Sequence, residues 1–310
     1  MIYYPIIIPT LNRFIHLKRC ISSLALCSGS EFTELIIGLD YPSEEKHTEG
    51  HKNIKKYLPT IAGFKKVTVF EHKYNLGAYK NYIFLSDYAL NKYDALIATE
   101  DDNEFAPCFL DFINKALFLY KDDYKVLSIS GYTPECFYGI SHDKVLFTNE
   151  SCAWGIGLWK SKEKMLRNVA LNNYYKNILA STRDSFKLFK TYPMLLSMLI
   201  TMIKKETDYG DVERTTFNIL NNCYQLRPTT SMSRNWGYDG SGVHCGHNKD
   251  NILSKQPILS DSTYELNYEK PLLTKGLRKA LFFYGTDSNV FVSLWQISII
   301  ILRYIKYKIV

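Results

Sequence analysis

Three consecutive carboxylates, Glu100-Asp101-Asp102, follow the short apolar run 95–98. Acids this close repel one another, so some partner must offset the cost. A divalent cation is one candidate, because Mg²⁺ and Mn²⁺ take hard carboxylate oxygens together with substrate phosphates. The other reading is a set of exposed acids favoured by the dipole of a following helix. Elsewhere, His244, Cys245 and His247 follow a glycine-rich segment, but no second pair completes a zinc site. The seven cysteines are odd in number and form no Cys-x-x-Cys pair, which reads as reduced thiols in a cytoplasmic protein.

The elements that must position the triplet alternate along the first half of the chain. Short, β-branched, apolar runs predict strands over residues 2–8, 35–39, 67–70, 95–98 and 125–129. Helical spacing predicts helices over residues 14–26 and 77–90, and another continuing through Leu117 with Pro107 in its first turn. A further helix is expected over 191–206, with Lys204 and Lys205 suiting its C-terminal end. Strands alternating with helices of this length indicate a doubly wound, mostly parallel α/β sheet flanked by helices. Ligands bind such sheets beyond the carboxyl ends of the strands. Thr10 to Arg13, Asp40, Asn75 and the triplet all fall at those ends.

Several blocks resemble known sugar transferases. Pro9-Thr10-Leu11-Asn12-Arg13 resembles the opening of family 2 glycosyltransferases with the Rossmann-like GT-A fold. Asn75-Leu76-Gly77-Ala78-Tyr79-Lys80-Asn81 resembles that family's nucleotide-contacting Asn-x-Gly loop and the helix after it. Thr99-Glu100-Asp101-Asp102, followed by Phe105-Ala106-Pro107 and Phe109, is similar to the metal-site stretch of Golgi β-1,2-N-acetylglucosaminyltransferases. Cys152-Ala153-Trp154-Gly155 and the segment from Asn235 to Cys245 look like parts of related bacterial sugar transferases. The blocks occur in order over roughly residues 2–250.

The resemblance implies a metal-dependent, inverting transferase that uses a UDP-sugar and Mn²⁺ or Mg²⁺. Pro9, Thr10, Arg13 and Asp40 would border the base and ribose, Asp40 by accepting the imide hydrogen of uracil. Asn75, Gly77 and Lys80 would line the nucleotide, and Asp101 would reach the ribose or sugar. Asp102 would ligate the metal, with His244 as a late metal or diphosphate ligand. Glu100 would support the sugar side, and Trp154-Gly155 would approach the donor sugar. Inverting transfer also needs a base for the acceptor hydroxyl. In Asp208-Tyr209-Gly210-Asp211-Val212-Glu213, Asp211 best matches the family's carboxylate. Gly210 stands where an aromatic is common, so Asp208 and Glu213 stay open, as does a mere helix cap at Asp211.

Charge separates the chain into two regions. The net charge is +7, with 38 Lys+Arg against 31 Asp+Glu, yet residues 271–310 hold six basic residues and one acid. The remaining chain is nearly balanced, which disfavours a nucleic-acid binder. We therefore expect a GT-A domain over 1–270, with a nucleotide part to about 130 and an acceptor part beyond. Residues 271–310 are expected to form an amphipathic helical tail. The apolar stretch 290–302 is too short and interrupted to span a bilayer, so an interfacial helix with basic anchors on anionic lipid is expected. The start lacks the features of a secretory leader. The expected place of work is thus the inner face of the cell membrane. The expected acceptor is a saccharide linked to polyprenyl diphosphate, in bacterial surface-polysaccharide (O-antigen or capsule) assembly. Two alternatives are a sugar-1-phosphate nucleotidylyltransferase and a non-catalytic membrane-binding protein. The first would want a glycine-rich phosphate loop, and residues 9–13 contain no glycine.

Overall fold

The computed structural model describes residues 2–139, 144–170, 173–207, 209–241, 252–260, 264–286 and 290–309. The first half alternates β1 (Ile6–Thr10), α1 (Phe14–Ala25), β2 (Glu34–Leu39), α2 (Thr48–Tyr57), β3 (Lys66–Glu71), α3 (Ala78–Lys92) and β4 (Ala95–Ala98). Then come β5 (Asn103–Phe105), α4 (Phe109–Leu119), β6 (Val126–Ser130), β7 (Val145–Thr148) and β8 (Ile156–Trp159). Five helices follow: α5 (Lys160–Ala170), α6 (Tyr174–Ala180), α7 (Thr182–Thr191), α8 (Pro193–Lys205) and α9 (Gly210–Asn221). The chain closes with β9 (Tyr224–Pro228), β10 (Ser233–Asn235), α10 (Ile252–Lys255), α11 (Lys275–Phe283) and α12 (Val290–Ile309).

Eight strands form one sheet in the order β3-β2-β1-β4-β8-β6-β9-β7, and β10 pairs with β5 in a separate ribbon. β8 and β7 run against the other six strands. This is the mostly parallel, helix-flanked Rossmann-like α/β architecture expected from the alternation. The β-branched run of β1 makes both sheet faces apolar. Ile6 and Ile8 pack with Leu17, Ile21 and Leu24 of α1 and Phe112 of α4, while Ile7 packs with Leu85 and Ala89 of α3. Gly38 lets α3 approach β2 closely, since a Cβ there would lie 2.2 Å from Asn81 Oδ1. The Asn81 amide donates to the Gly38 carbonyl at 2.8 Å and fixes that approach.

A second core gathers the later helices. Leu195, Leu196, Leu199 and Ile200 of α8 pack with Leu188 of α7 and Ile219 of α9. Core packing, rather than a lipid-facing patch, therefore explains most of the apolar stretch in α8. Leu273, Leu277, Leu281 and Ile300 join the same core, so α11 and α12 dock on these helices. The guanidinium of Arg303 donates to Ser197 Oγ at 2.6 Å and Thr201 Oγ1 at 2.8 Å, pinning α12 to α8. Among the described residues, no helix is long and apolar enough to cross a membrane.

Candidate functional site

The strand order reverses direction at β1, with β2 on one side and β4 on the other, which opens a crevice beyond their carboxyl ends. The triplet lies there. Thr10 Oγ1 donates to Asp101 Oδ2 at 2.7 Å, and Arg13 Nη1 donates to Asp102 Oδ2 at 2.7 Å. A second Arg13 amino group closes on Asp101 Oδ1. Asn235 at the end of β10 donates to Asp102 Oδ1 at 2.7 Å. Next to it, Gly237 is required: a Cβ would sit 2.2 Å from Asp102 Oδ2. Burial works against the Arg13 charge, but Asp101 and Asp102 outweigh it and raise its pKa. Burial likewise pushes the Asp101 carboxyl upward, with Arg13 opposing.

Arg13 thus offsets part of the cost of three adjacent acids. Both oxygens of Asp102 are engaged, and among the described residues no group of three or more His, Cys, Asp or Glu could hold a metal. A cation held by Asp102 together with a donor diphosphate would need no such cluster of protein ligands. His244, the second expected ligand, lies outside the described residues, as do Asp208, Cys245 and His247.

Asp40 joins the crevice to the Asn75 loop. Its Oδ1 accepts from the Tyr41 and Leu76 amides at 2.9 and 2.8 Å, and its Oδ2 from the Gly77 amide at 2.9 Å. The first work of this buried carboxylate is therefore to set the loop. Asn75 Nδ2 adds a bond to the Tyr41 carbonyl at 2.7 Å. Gly77 has φ of +79°, and nothing lies within 4 Å of where its Cβ would be. Glycine is needed there for the turn, and the space beside it is open to a ligand. Lys80 is exposed on the first turn of α3, and Pro9 is half-buried in β1.

Across the crevice, α9 begins at Gly210 after Tyr209 as N-cap, so Asp211 stands one residue into the helix and caps nothing. Its Oδ2 accepts from the Ala153 amide at 3.3 Å. Its Oδ1 is buried and meets no donor among the described residues. Burial pushes the Asp211 carboxyl up to about 6, against the pull of Arg214 and Arg227. Glu100 has an exposed side chain, yet protein surrounds it closely enough to raise its carboxyl, with Asp102 and Asp211 adding repulsion. The Ala153 amide on Asp211 adjoins Trp154, whose carbonyl accepts from Ser233 Oγ at 2.9 Å, two residues before the Asn235 that holds Asp102. Glu213 lies in the first turn of the same helix.

Trp154 is half-buried at the start of β8, whose reversed direction brings its amino end to this edge of the sheet. Its ring meets Tyr132 edge-on at 4.5 Å and Tyr238 at 6.4 Å. Gly155 follows Trp154 in the turn before β8. It is buried with φ of +80°, and a Cβ would lie 2.7 to 2.8 Å from the rings of Phe105 and Phe109.

Sequence reasoning missed the ionic scaffold behind this wall. Arg227 is fully buried and pairs with Glu150, and it also donates to Thr148 Oγ1 at 2.9 Å and the Tyr132 carbonyl at 2.8 Å. Arg214, one turn after Asp211, donates to both oxygens of Glu163 at 2.9 and 2.7 Å. Both pairs join residues more than 50 positions apart, so no local motif marks them.

No protein-family profile matches the chain, and no curated protein matches it. Among solved structures, it is similar to the mannosyltransferase PcManGT from Pyrobaculum calidifontis in complex with GDP-Man and Mn²⁺. That alignment has 15% identity and a TM-score of 0.37, covering 54% of this chain and 46% of the other. The chain thus spans less than half the length of that enzyme. S. aureus TarS 1-349 in complex with UDP aligns at 13% identity and a TM-score of 0.38, over 71% of each chain. The same protein with UDP-GlcNAc aligns at 13% identity and 0.35, over 53% of this chain and 48% of its own. Likeness this weak leaves function to be argued from this chain's own residues.

Proposed function

We propose that the chain is a glycosyltransferase that moves a sugar from a UDP-sugar to a hydroxyl of a saccharide acceptor, with inversion. One observation carries the reading: Thr10 and Arg13 meet Asp101 and Asp102 at the switch point, and Asp211 nearby has an oxygen without a donor among the described residues. The nucleotide would lie between the Thr10–Arg13 turn and the Asn75–Gly77 loop. Arg13 is the cation nearest the triplet and would face the diphosphate.

Asp211 acts as the base in this reading. Its carboxylate takes the acceptor O–H proton as that oxygen forms a bond to the anomeric carbon. The bond from that carbon to the diphosphate oxygen breaks, and UDP leaves with the electron pair. An acidity tuned to about 6 keeps Asp211 ionised at neutral pH yet basic enough to accept a proton. Trp154 and Tyr238 would offer aromatic faces to a sugar ring. A lipid-linked acceptor in bacterial surface-polysaccharide assembly is part of the same proposal and rests on the basic, apolar character of residues 271–310.

The test is a panel of UDP-sugars incubated with the protein, with and without Mn²⁺, read as UDP release and as transfer to saccharide acceptors. Release from one or more donors supports the reading. No release from any donor, together with no UDP binding, overturns it.

A further inference from the structure

α12 presents two unlike faces. Ile297 and Ile300 are buried, and Tyr304 and Tyr307 pack toward the second core. On the other side, Leu294, Trp295, Ile301, Leu302 and Ile305 recur at helical spacing and are exposed, Trp295 by 64% and Leu302 by 65%. Met198 of α8 is exposed on the helix that α12 packs against. Water is a poor neighbour for such a continuous stripe.

We infer that this stripe lies on an anionic bilayer, with α12 parallel to the membrane plane. Charge selects this occupant. Residues 271–310 contain Lys275, Arg278, Lys279, Arg303, Lys306 and Lys308 against one acid, Asp287. Lys204 and Lys205 add cations at the end of α8, where Lys204 Nζ lies 5.9 Å from the Tyr307 ring. A second copy of the chain would bring the same positive charge against itself, whereas anionic headgroups would neutralise it. The docking of α12 by Arg303 on α8 also holds the helix in-plane and sets its exposed face before it meets lipid. Trp295 suits the headgroup boundary, where an amphipathic ring is favoured. The helix lies on the bilayer rather than through it. The inference does not depend on the transfer reaction.

The experiment is flotation of the full chain with phosphatidylcholine vesicles, with and without about one-third phosphatidylglycerol. Wild type is expected to float with the anionic vesicles and to be released by high salt. The variant Leu294→Ser/Leu302→Ser/Ile305→Ser keeps the docked face and is expected to bind about 100-fold more weakly, at unchanged melting temperature. Lys204→Gln/Lys306→Gln should weaken binding by roughly fivefold for each charge. Flotation of the serine variant equal to wild type overturns the inference, as does the absence of wild-type flotation. A lipid-free dimer that the serine variant dissolves, seen by light scattering, would assign the stripe to a second copy and likewise overturn it.

Discussion

On the β1–β4 side of the cleft, Asp40, Asp101 and Asp102 each engage donors supplied by the chain: three backbone amides, Thr10, Arg13 and Asn235. Across the cleft, Asp211 has one weak amide contact and one buried oxygen without a donor among the described residues. The first set is spent on holding loops and a guanidinium in place. The second position is left underserved, and its acidity moves toward neutrality. In the proposed reaction, these surroundings divide the carboxylates between binding charge and moving a proton.

The sharpest way to break this contrast is Asp211→Asn. Loss of a base is expected to lower turnover by about 1000-fold, measured as UDP release, while calorimetric UDP affinity stays near that of wild type. An equal loss in affinity would mean that Asp211 belongs to the binding set.

Arg227→Met leaves Glu150 buried without its partner and should cost about 3–5 kcal/mol in a denaturant melt. Loss of a few tenths would show that the aromatic wall does not rest on that pair. Gly155→Ala meets the Phe105 and Phe109 rings and should cost about 1–3 kcal/mol from crowding alone. Gly77→Ala meets no neighbour and should lose about 1–3 kcal/mol from a backbone conformation (φ 79°, ψ 157°) that only glycine adopts freely. Its larger expected effect is on UDP affinity, read by calorimetry.

The pH dependence sharpens the same comparison with the smallest signal. The active form of Asp211 is ionised, so turnover should rise as pH climbs through about 6, and Asp211→Asn should lack that limb. The sign for stability is opposite. The native state holds the proton more tightly than the unfolded chain, so the fold loses stability as pH rises from the ordinary carboxylate range to about 6. Melting profiles of Asp211→Asn should lose that part of the slope.

The nucleotide half was the more legible in sequence. β1, β2 and β4 are β-branched or apolar runs whose burial on both faces leaves a local signature, and the triplet lies just beyond β4. The Asp102 partner was not legible, because Asn235 reaches it from 133 positions away through the β5–β10 ribbon. Nor was the role of Arg13, which meets acids 88 and 89 positions away along the chain. The neighbours of Gly155 were hidden for a related reason: a glycine before a strand signals close approach, but only packing shows that its α-carbon lies against Phe105 and Phe109. In the tail, the spacing of Leu277 and Leu281 announced a helix, while the surface that receives it is built by α7 and α8.

The most direct measurement of the central claim is calorimetric titration of UDP into wild type and Arg13→Met, with and without Mn²⁺. The account predicts that wild type binds UDP and that Arg13→Met binds it at least about tenfold more weakly, the loss expected for one charge-assisted contact. No heat from UDP in wild type under either condition would contradict it.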